Sequence, residues 1–285
     1  MSISKLNRLP KHTFKLEIAL PWSEVQTHFQ EAIKNAAKKI TLPGFRQGKA
    51  PLELIEKNID EKKIFEELVR KLFPEAYQDA IKKHALKPII LPQVQALSLN
   101  KGNDWLFKAT ACEAPTVSLG HYQEEIRGHF AKDKIWTPAK GSKQPKKPDD
   151  TKKLDEIFEI LLKTCKLEIP SLLVEDEVTR MFSRLIDKTE KLGLTLEQYL
   201  SSTGKTTESL RQEYQKKAEE TLKLEFILNS IANEQNLQVE DKEIEAFIKA
   251  APDQKTKEAL NLPTQKLYLS SILRKRKAID FLLAL

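Results

Sequence analysis

Apolar and polar positions alternate through Thr13–Leu20 (TFKLEIAL), with Phe14, Leu16, Ile18 and Leu20 on one side, the period of a half-buried β-strand. Pro21 ends that strand and Ser23 stands where a helix cap belongs. Val25, Phe29, Ile33, Ala37 and Ile40 then recur at helical spacing, with Lys34, Lys38 and Lys39 elsewhere on the helix. Residues 52–58 predict a short helix and residues 61–85 a longer one, its stripe made by Ile64, Leu68, Leu72, Ala76, Ala80 and His84. Pro74 lacks a backbone donor and predicts a kink or a break near Phe73. The period then returns to two. Residues 92–99 and 104–112, joined by Asn100-Lys101-Gly102-Asn103, predict an antiparallel hairpin that the first strand can join. The order β-α-α-α-β-β is an α+β domain.

Beyond residue 114 the patterning weakens, and residues 140–148 (KGSKQPKKP) have the polar, basic, proline-containing character of a tether. From residue 151 the chain predicts an all-α, irregular helical domain. Leu154, Ile157, Phe158, Leu161 and Leu162 form one amphipathic face. Pro170-Ser171 opens a second helix that runs through Leu173, Val178, Phe182 and Leu185 towards Gly193. A short helix at 195–200, a long one at 207–235 and two more at 239–250 and 264–285 follow, without a fixed-period repeat.

The net charge of +7 favours anionic partners, although 41 acidic residues interspersed with 48 basic ones place most charge on solvated helix faces. Cys112 and Cys165, the only cysteines, belong to no Cys-x-x-Cys or Cys/His cluster, so neither a disulfide framework nor a zinc site is expected. The first ten residues carry no apolar run of signal-peptide length, and no run reaches about 18 apolar residues. The expected location is cytoplasmic, with no membrane partner.

Candidate chemistry is sparse. Ser202-Thr203-Gly204-Lys205-Thr206 ends like a phosphate loop, but the required first glycine is Tyr199. The five histidines, His12, His28, His84, His121 and His129, form no metal-binding or catalytic spacing. No catalytic residue, metal or other cofactor is expected. The stretch Leu42-Pro43-Gly44-Phe45-Arg46-Gln47-Gly48-Lys49-Ala50-Pro51 does stand out, because it sets an aromatic and two cations between glycines and prolines. Such a segment is a defined loop. Taken alone it is either a binding tip or a turn whose Phe45 tucks inward.

Gly44-Phe45-Arg46-Gln47-Gly48-Lys49-Ala50-Pro51 resembles the G-F-R-x-G-x-x-P ribosome-docking signature of trigger factor, the bacterial ribosome-associated chaperone family. Ala111-Cys112-Glu113-Ala114-Pro115 is similar to the end of that family's ribosome-binding domain. Ile169-Pro170-Ser171-Leu172-Leu173-Val174-Glu175-Asp176-Glu177 is similar to the start of its helical substrate-binding region. The resemblance implies a ribosome-binding domain at 1–114, a linker at 115–150 and a substrate-binding domain at 151–285 in an elongated molecule. It also implies an ATP-independent chaperone that docks on the large ribosomal subunit near the exit tunnel and shields nascent or unfolded polypeptides.

Its ribosome-binding residues would be Gly44, Phe45, Arg46, Gln47, Gly48 and Lys49. Arg46 would pair with carboxylate or RNA phosphate, Phe45 would fill an apolar pocket, and Lys49 would add a point charge. A homodimer is a further partner the resemblance admits. The sequence departs from the family pattern twice. Gln47 stands where relatives commonly have a cation, and the 115–150 stretch is too short for the FKBP-type prolyl isomerase domain that usually separates the two parts. No isomerase activity is therefore expected. Two other readings stay open: a free nucleic-acid-binding protein using Lys140–Lys147 and Arg274-Lys275-Arg276-Lys277, and a residual isomerase.

Overall fold

Strands alternating with helices in the first third of the chain and helices thereafter build two units, Met1–Ala114 and Pro115–Leu285. The computed structural model describes residues 3–37, 61–133 and 150–285. The expected short helix at 52–58 and the basic run at 140–148 lie outside the described residues.

The N-terminal unit is a four-stranded antiparallel sheet with helices on one face. Strands β1 (Ile3–Leu9), β2 (Thr13–Leu20), β3 (Gln93–Ser98) and β4 (Trp105–Cys112) lie in the order β1-β2-β4-β3. The expected joining of the first strand to the hairpin is observed as β2 against β4, with Leu16 opposite Ala109 and Ile18 opposite Phe107. The sequence pattern predicts no element at β1. Its residues alternate less clearly because it is an edge strand, only half-buried where Leu6 meets Leu16.

Helix α1 (Trp22–Ala37) begins one residue before Ser23, which lies within it instead of capping it. The cap comes from elsewhere: the Trp22 N–H donates to Asp104 Oδ1 at 2.9 Å. Helix α2 (Glu61–Lys83) runs through Pro74 as a single element, so of the kink or break expected there the break does not occur. An interior proline costs about 3 kcal/mol. Phe73, Ala76 and Ala80 bury immediately beside and beyond it, and their packing on the sheet offsets that cost. The helix ends in a Schellman turn in which Leu86 N–H donates to Ile81 O and Ala85 N–H to Lys82 O. Ala85 accordingly sits at φ +51°, a conformation that favours glycine.

One core joins these layers. Phe14, Leu16, Ile18 and Leu20 from β2 and Trp105, Phe107, Ala109 and Ala111 from β4 meet Val25, Phe29 and Ile33 of α1 and Ile64, Leu68 and Leu72 of α2.

The C-terminal unit is helical throughout. Its described elements are α3 (Tyr122–Asp133), α4 (Asp150–Thr164), α5 (Ser171–Lys191), α6 (Leu196–Thr203), α7 (Thr207–Glu234), α8 (Asp241–Lys249), α9 (Gln254–Leu260) and α10 (Pro263–Leu283). Two of these were not expected. Helix α9 is short and lies between the expected helices at 239–250 and 264–285. Helix α3 lies in the stretch read as a linker, and much of that stretch is folded: Tyr122 and Ile126 are buried against Ile157, Leu161 and Ile231. Ser118 and Lys166 exchange backbone hydrogen bonds at 2.9 Å each. Gly120, at φ +58°, passes so close to Thr164 that a Cβ would stand 3.4 Å from its carbonyl oxygen. The weak patterning of this segment reflects a 12-residue helix that buries only two large side chains deeply.

Turn chemistry sets the remaining boundaries. Thr195 and Thr206 open α6 and α7 with reciprocal capping boxes to Gln198 and Ser209. Gly193 and Gly204, both at positive φ, follow α5 and α6, as their positions in the sequence suggested.

Candidate functional site

All six residues expected to dock, Gly44, Phe45, Arg46, Gln47, Gly48 and Lys49, fall in the segment 38–60, outside the described residues. What the structure describes is how the flanking helices are held. Trp22 and Phe29 of α1 lie 6.1 Å apart between ring centroids, Phe29 and Phe65 of α2 5.6 Å, and Phe65 and Trp105 of β4 5.1 Å. Aromatic pairs of this geometry contribute about 0.5–1.5 kcal/mol each beyond their burial. Lys101, on the hairpin turn, sits 5.1 Å from the centre of the Phe29 ring and 3.5 Å from Glu61 at the start of α2. Both helices that flank the segment are thus fixed to one aromatic core.

In the C-terminal unit one group of exposed apolar side chains lies at the start of α10. Leu267 is 75% exposed and Tyr268 62%, with Ile272 one turn beyond Tyr268 and Leu262 just before the helix. The cause is a change of buried face along the helix. Leu269 packs in its first half with Ile244 and Ile248 of α8, whereas Ala278 and Leu282 pack in its second half with α4 and α7. The first half therefore carries apolar residues on more sides than its small partner helices cover. Periodicity alone could not separate this row from core. The available signal was the density of apolar residues around the whole helix between 262 and 273. A second group, Ile186, Leu192 and Leu194, is exposed where α5 turns towards α6.

The basic run Arg274-Lys275-Arg276-Lys277, open as a nucleic-acid contact, is mostly engaged internally. Helix α7 ends in a Schellman turn with Asn236 at φ +51°, and Arg274 reinforces it. Its guanidinium donates to Leu237 O at 2.8 Å, Asn233 Oδ1 at 2.7 Å and Ala232 O at 3.4 Å. A cation there also meets the negative end of the helix dipole. Lys275 pairs with Glu225, and Lys277 reaches Glu243 and Gln238 O at 2.7 Å each. The Lys277 contact, followed by the backbone N–H of Glu240, holds the Glu243 carboxyl below its usual range. Arg276 remains exposed.

The phosphate-loop look-alike is structural. Gly204 terminates α6, Lys205 pairs with Glu213, and Thr206 caps α7. Among the described residues no His, Cys, Asp and Glu group could hold a metal ion, and no helix is long and apolar enough to cross a membrane. Both thiols are buried, and desolvation pushes each up to about 11, away from nucleophilic reactivity. His129 meets Glu156 at 3.1 Å and His84 meets Ser4 at 3.1 Å, contacts that pin neighbouring elements together.

An α+β unit followed by an irregular helical unit, with buried thiols and exposed apolar helix residues, defines a two-part fold built around surfaces. The bacterial trigger factor N-terminal model matches residues 1–132, and the trigger factor C-terminal model matches residues 139–284. The chain belongs to the trigger factor family. Only residues 133–138 separate the two matches, too few for an FKBP-type domain between them.

The trigger factor of Caldanaerobacter subterraneus subsp. tengcongensis is 35% identical over 120 residues, 42% of this chain and 28% of the relative. That of Desulforamulus reducens is 35% identical over 116 residues, 41% of this chain and 27% of the relative. The matched stretch thus spans little more than a quarter of these curated relatives. A solved trigger factor chaperone, described for promiscuous substrate recognition in folding and assembly, superposes with a TM-score of 0.68 over 99% of both chains at 14% identity. That likeness establishes the fold.

Proposed function

We propose that this chain is an ATP-independent chaperone that docks at the ribosomal exit tunnel through Phe45, Arg46 and Lys49 and shields unfolded polypeptide with its helical unit. The observation that carries the proposal is membership of the trigger factor family in both units. The exposed Leu267, Tyr268 and Ile272 on α10 support the shielding role, since apolar side chains left uncovered by their own fold offer a surface to another chain. The loop supports docking by its composition: a planar guanidinium for a carboxylate or phosphate, beside an aromatic anchor. Gln47 removes one cation from this tip, which predicts a weaker and less salt-sensitive ribosome contact. The short interval between the two family matches supports a chaperone without isomerase activity.

Co-sedimentation with ribosomes tests docking. Wild type is expected to pellet and Phe45→Ala/Arg46→Ala to remain in the supernatant; equal pelleting would remove the loop from the mechanism. Suppression of aggregation of a denatured client tests shielding, with Leu267→Ser/Tyr268→Ser expected to protect less than wild type. Cleavage of a proline peptide coupled to isomerisation should run at the uncatalysed rate. A free nucleic-acid-binding role is disfavoured by the internal engagement of Arg274, Lys275 and Lys277.

A further inference from the structure

The sheet of the N-terminal unit has two edges, and they differ in how they meet solvent. An unguarded edge strand offers a row of backbone donors and acceptors to any extended chain, and proteins usually blunt such edges with charge or proline. β1 is blunted: it carries Lys5 and Arg8, and Arg8 pairs with Glu113 at 3.6 Å. β3, sequence QVQALS, carries neither charge nor proline, and five of its six residues are exposed. The neutral stretch is wider than the strand. Residues 88–100 (PIILPQVQALSLN) contain no ionisable side chain in a chain where 31% of residues are charged. Leu91 is 90% exposed and Leu97 58%, with Val94 exposed between them. β4 occupies one side of β3, through the pairs Gln93 with Thr110 and Val94 with Ala109, and no described strand occupies the other. An irregularity between Ala96 and Ser98 limits the regular register to the first four residues.

We infer that the free edge of β3 binds an extended, uncharged segment of unfolded polypeptide by adding it as a fifth strand. This inference rests on the chaperone reading for the identity of the occupant. Backbone hydrogen bonds from Gln93–Ala96 would supply sequence-tolerant binding, and the exposed Val94 and Leu97 would add apolar contact at either end of that run. The absence of charge on β3 sets the guest's chemistry: the strand itself offers no partner to a carboxylate or an ammonium, so an uncharged guest segment fits it best. A second copy of the chain is the poorer occupant. Two four-residue strand edges in contact fall well short of the roughly 1,000 Å² that a specific protein interface requires. A transient guest strand has no such requirement.

The test uses the full chain and a fluorescein-labelled decapeptide of alternating valine and glutamine. A second decapeptide is methylated on alternate backbone nitrogens, which removes one edge of donors. The unmodified peptide is expected to bind wild type and to slow amide exchange over 93–98, and the methylated peptide to bind at least tenfold more weakly. Val94→Lys/Leu97→Lys should weaken binding at least tenfold with unchanged circular dichroism, since both side chains are exposed. Equal affinity of both peptides, equal affinity of the lysine variant, or protection confined to the helical unit would each overturn the inference. A dimer seen by light scattering in wild type and lost in the lysine variant would assign the edge to a second copy and overturn it as well. Leu267→Ser/Tyr268→Ser separates the two readings. Loss of aggregation suppression in that variant with unchanged decapeptide binding upholds both. Decapeptide binding at β3 by a wild type that protects no client would leave the edge site standing and sink the chaperone reading.

Discussion

Among the described residues, the N-terminal unit gathers its buried residues into one cluster that runs through sheet and helices, while the C-terminal unit distributes many of its own among separate clusters strung along α7 and α10. Leu185, Leu200 and Leu210 form one such cluster; Ile244, Ile248 and Leu269 form another. The difference lies in the partners each helix has. α1 and α2 bury Val25 to Ile33 and Ile64 to Ala80 in one core shared with the sheet. α10 instead meets small α8 and α9 with its first half and α4 and α7 with its second, burying opposite sides in succession. A contiguous core responds to damage as a whole, whereas small clusters open locally. The same segmentation leaves Leu267 and Tyr268 in solvent, so the exposed surface and the divided core have one cause.

The largest expected effect follows from the contiguous core. Phe107 is fully buried, 5.3 Å from Phe73 between ring centroids and 6.4 Å from Trp105. Phe107→Ala should cost about 3–5 kcal/mol and shift the whole urea transition reported by Trp22 and Trp105 fluorescence. A loss under about 1 kcal/mol would mean that this core relaxes freely and that the contrast between units is false. Leu269→Ala probes the opposite case. Its small cluster can collapse around the cavity, so a loss near 2 kcal/mol is expected. It should appear as faster amide exchange in α8–α10 with little change in α3 and α4. Uniform acceleration across the unit would show that the clusters act as one.

Arg274→Ala comes next, at about 1–2 kcal/mol, because the carbonyl oxygens of Ala232 and Leu237 lose a charged donor at the end of α7. The loss registers as a lower Tm. Arg274→Lys should recover only a fraction of it, since an ammonium cannot present the guanidinium's planar set of donors to the same acceptors. Full recovery would mean that charge alone matters there.

The parts of this architecture legible in the sequence are those where local period and tertiary burial agree. β2, β4, α1 and α7 declare themselves because each buries one face along its length, and Gly193 and Gly204 mark helix ends because only a positive φ closes those turns cheaply. α3 was lost because its burial rests on Tyr122 and Ile126 alone. Pro74 does not break α2 because its local penalty is offset by aromatic packing that no single window reveals: Phe73 reaches Phe107 on a distant strand. Ala85 and Asn236 end helices as glycines do, without the glycine that would have marked them. The segment 44–51 was legible as a motif, for its residue types and spacing carry the family resemblance. The exposed row on α10 was not, because an uncovered leucine and a core leucine obey the same helical period.

The smallest expected effect is invisible at neutral pH. Cys112 in one unit and Cys165 in the other are both desolvated, and burial pushes each thiol up to about 11. An unfolded thiol titrates near 8.5. Between these values the folded state holds a proton that the unfolded state has released, so stability is fully present below about pH 8.5 and declines as pH rises towards 11. Tyr77, pushed up to about 12 by burial and then by the neighbouring Cys112 thiolate, carries the decline further in the N-terminal unit. Urea unfolding at pH 7, 9 and 10.5 measures the slope. Cys112→Ala should flatten it in the unfolding of the N-terminal unit, with Cys165→Ala doing the same in the helical unit, where the thiol donates to Leu119 O at 3.4 Å. If one cysteine variant flattens the slope of both units equally, the two cores unfold as a single cooperative system and the contrast between them fails.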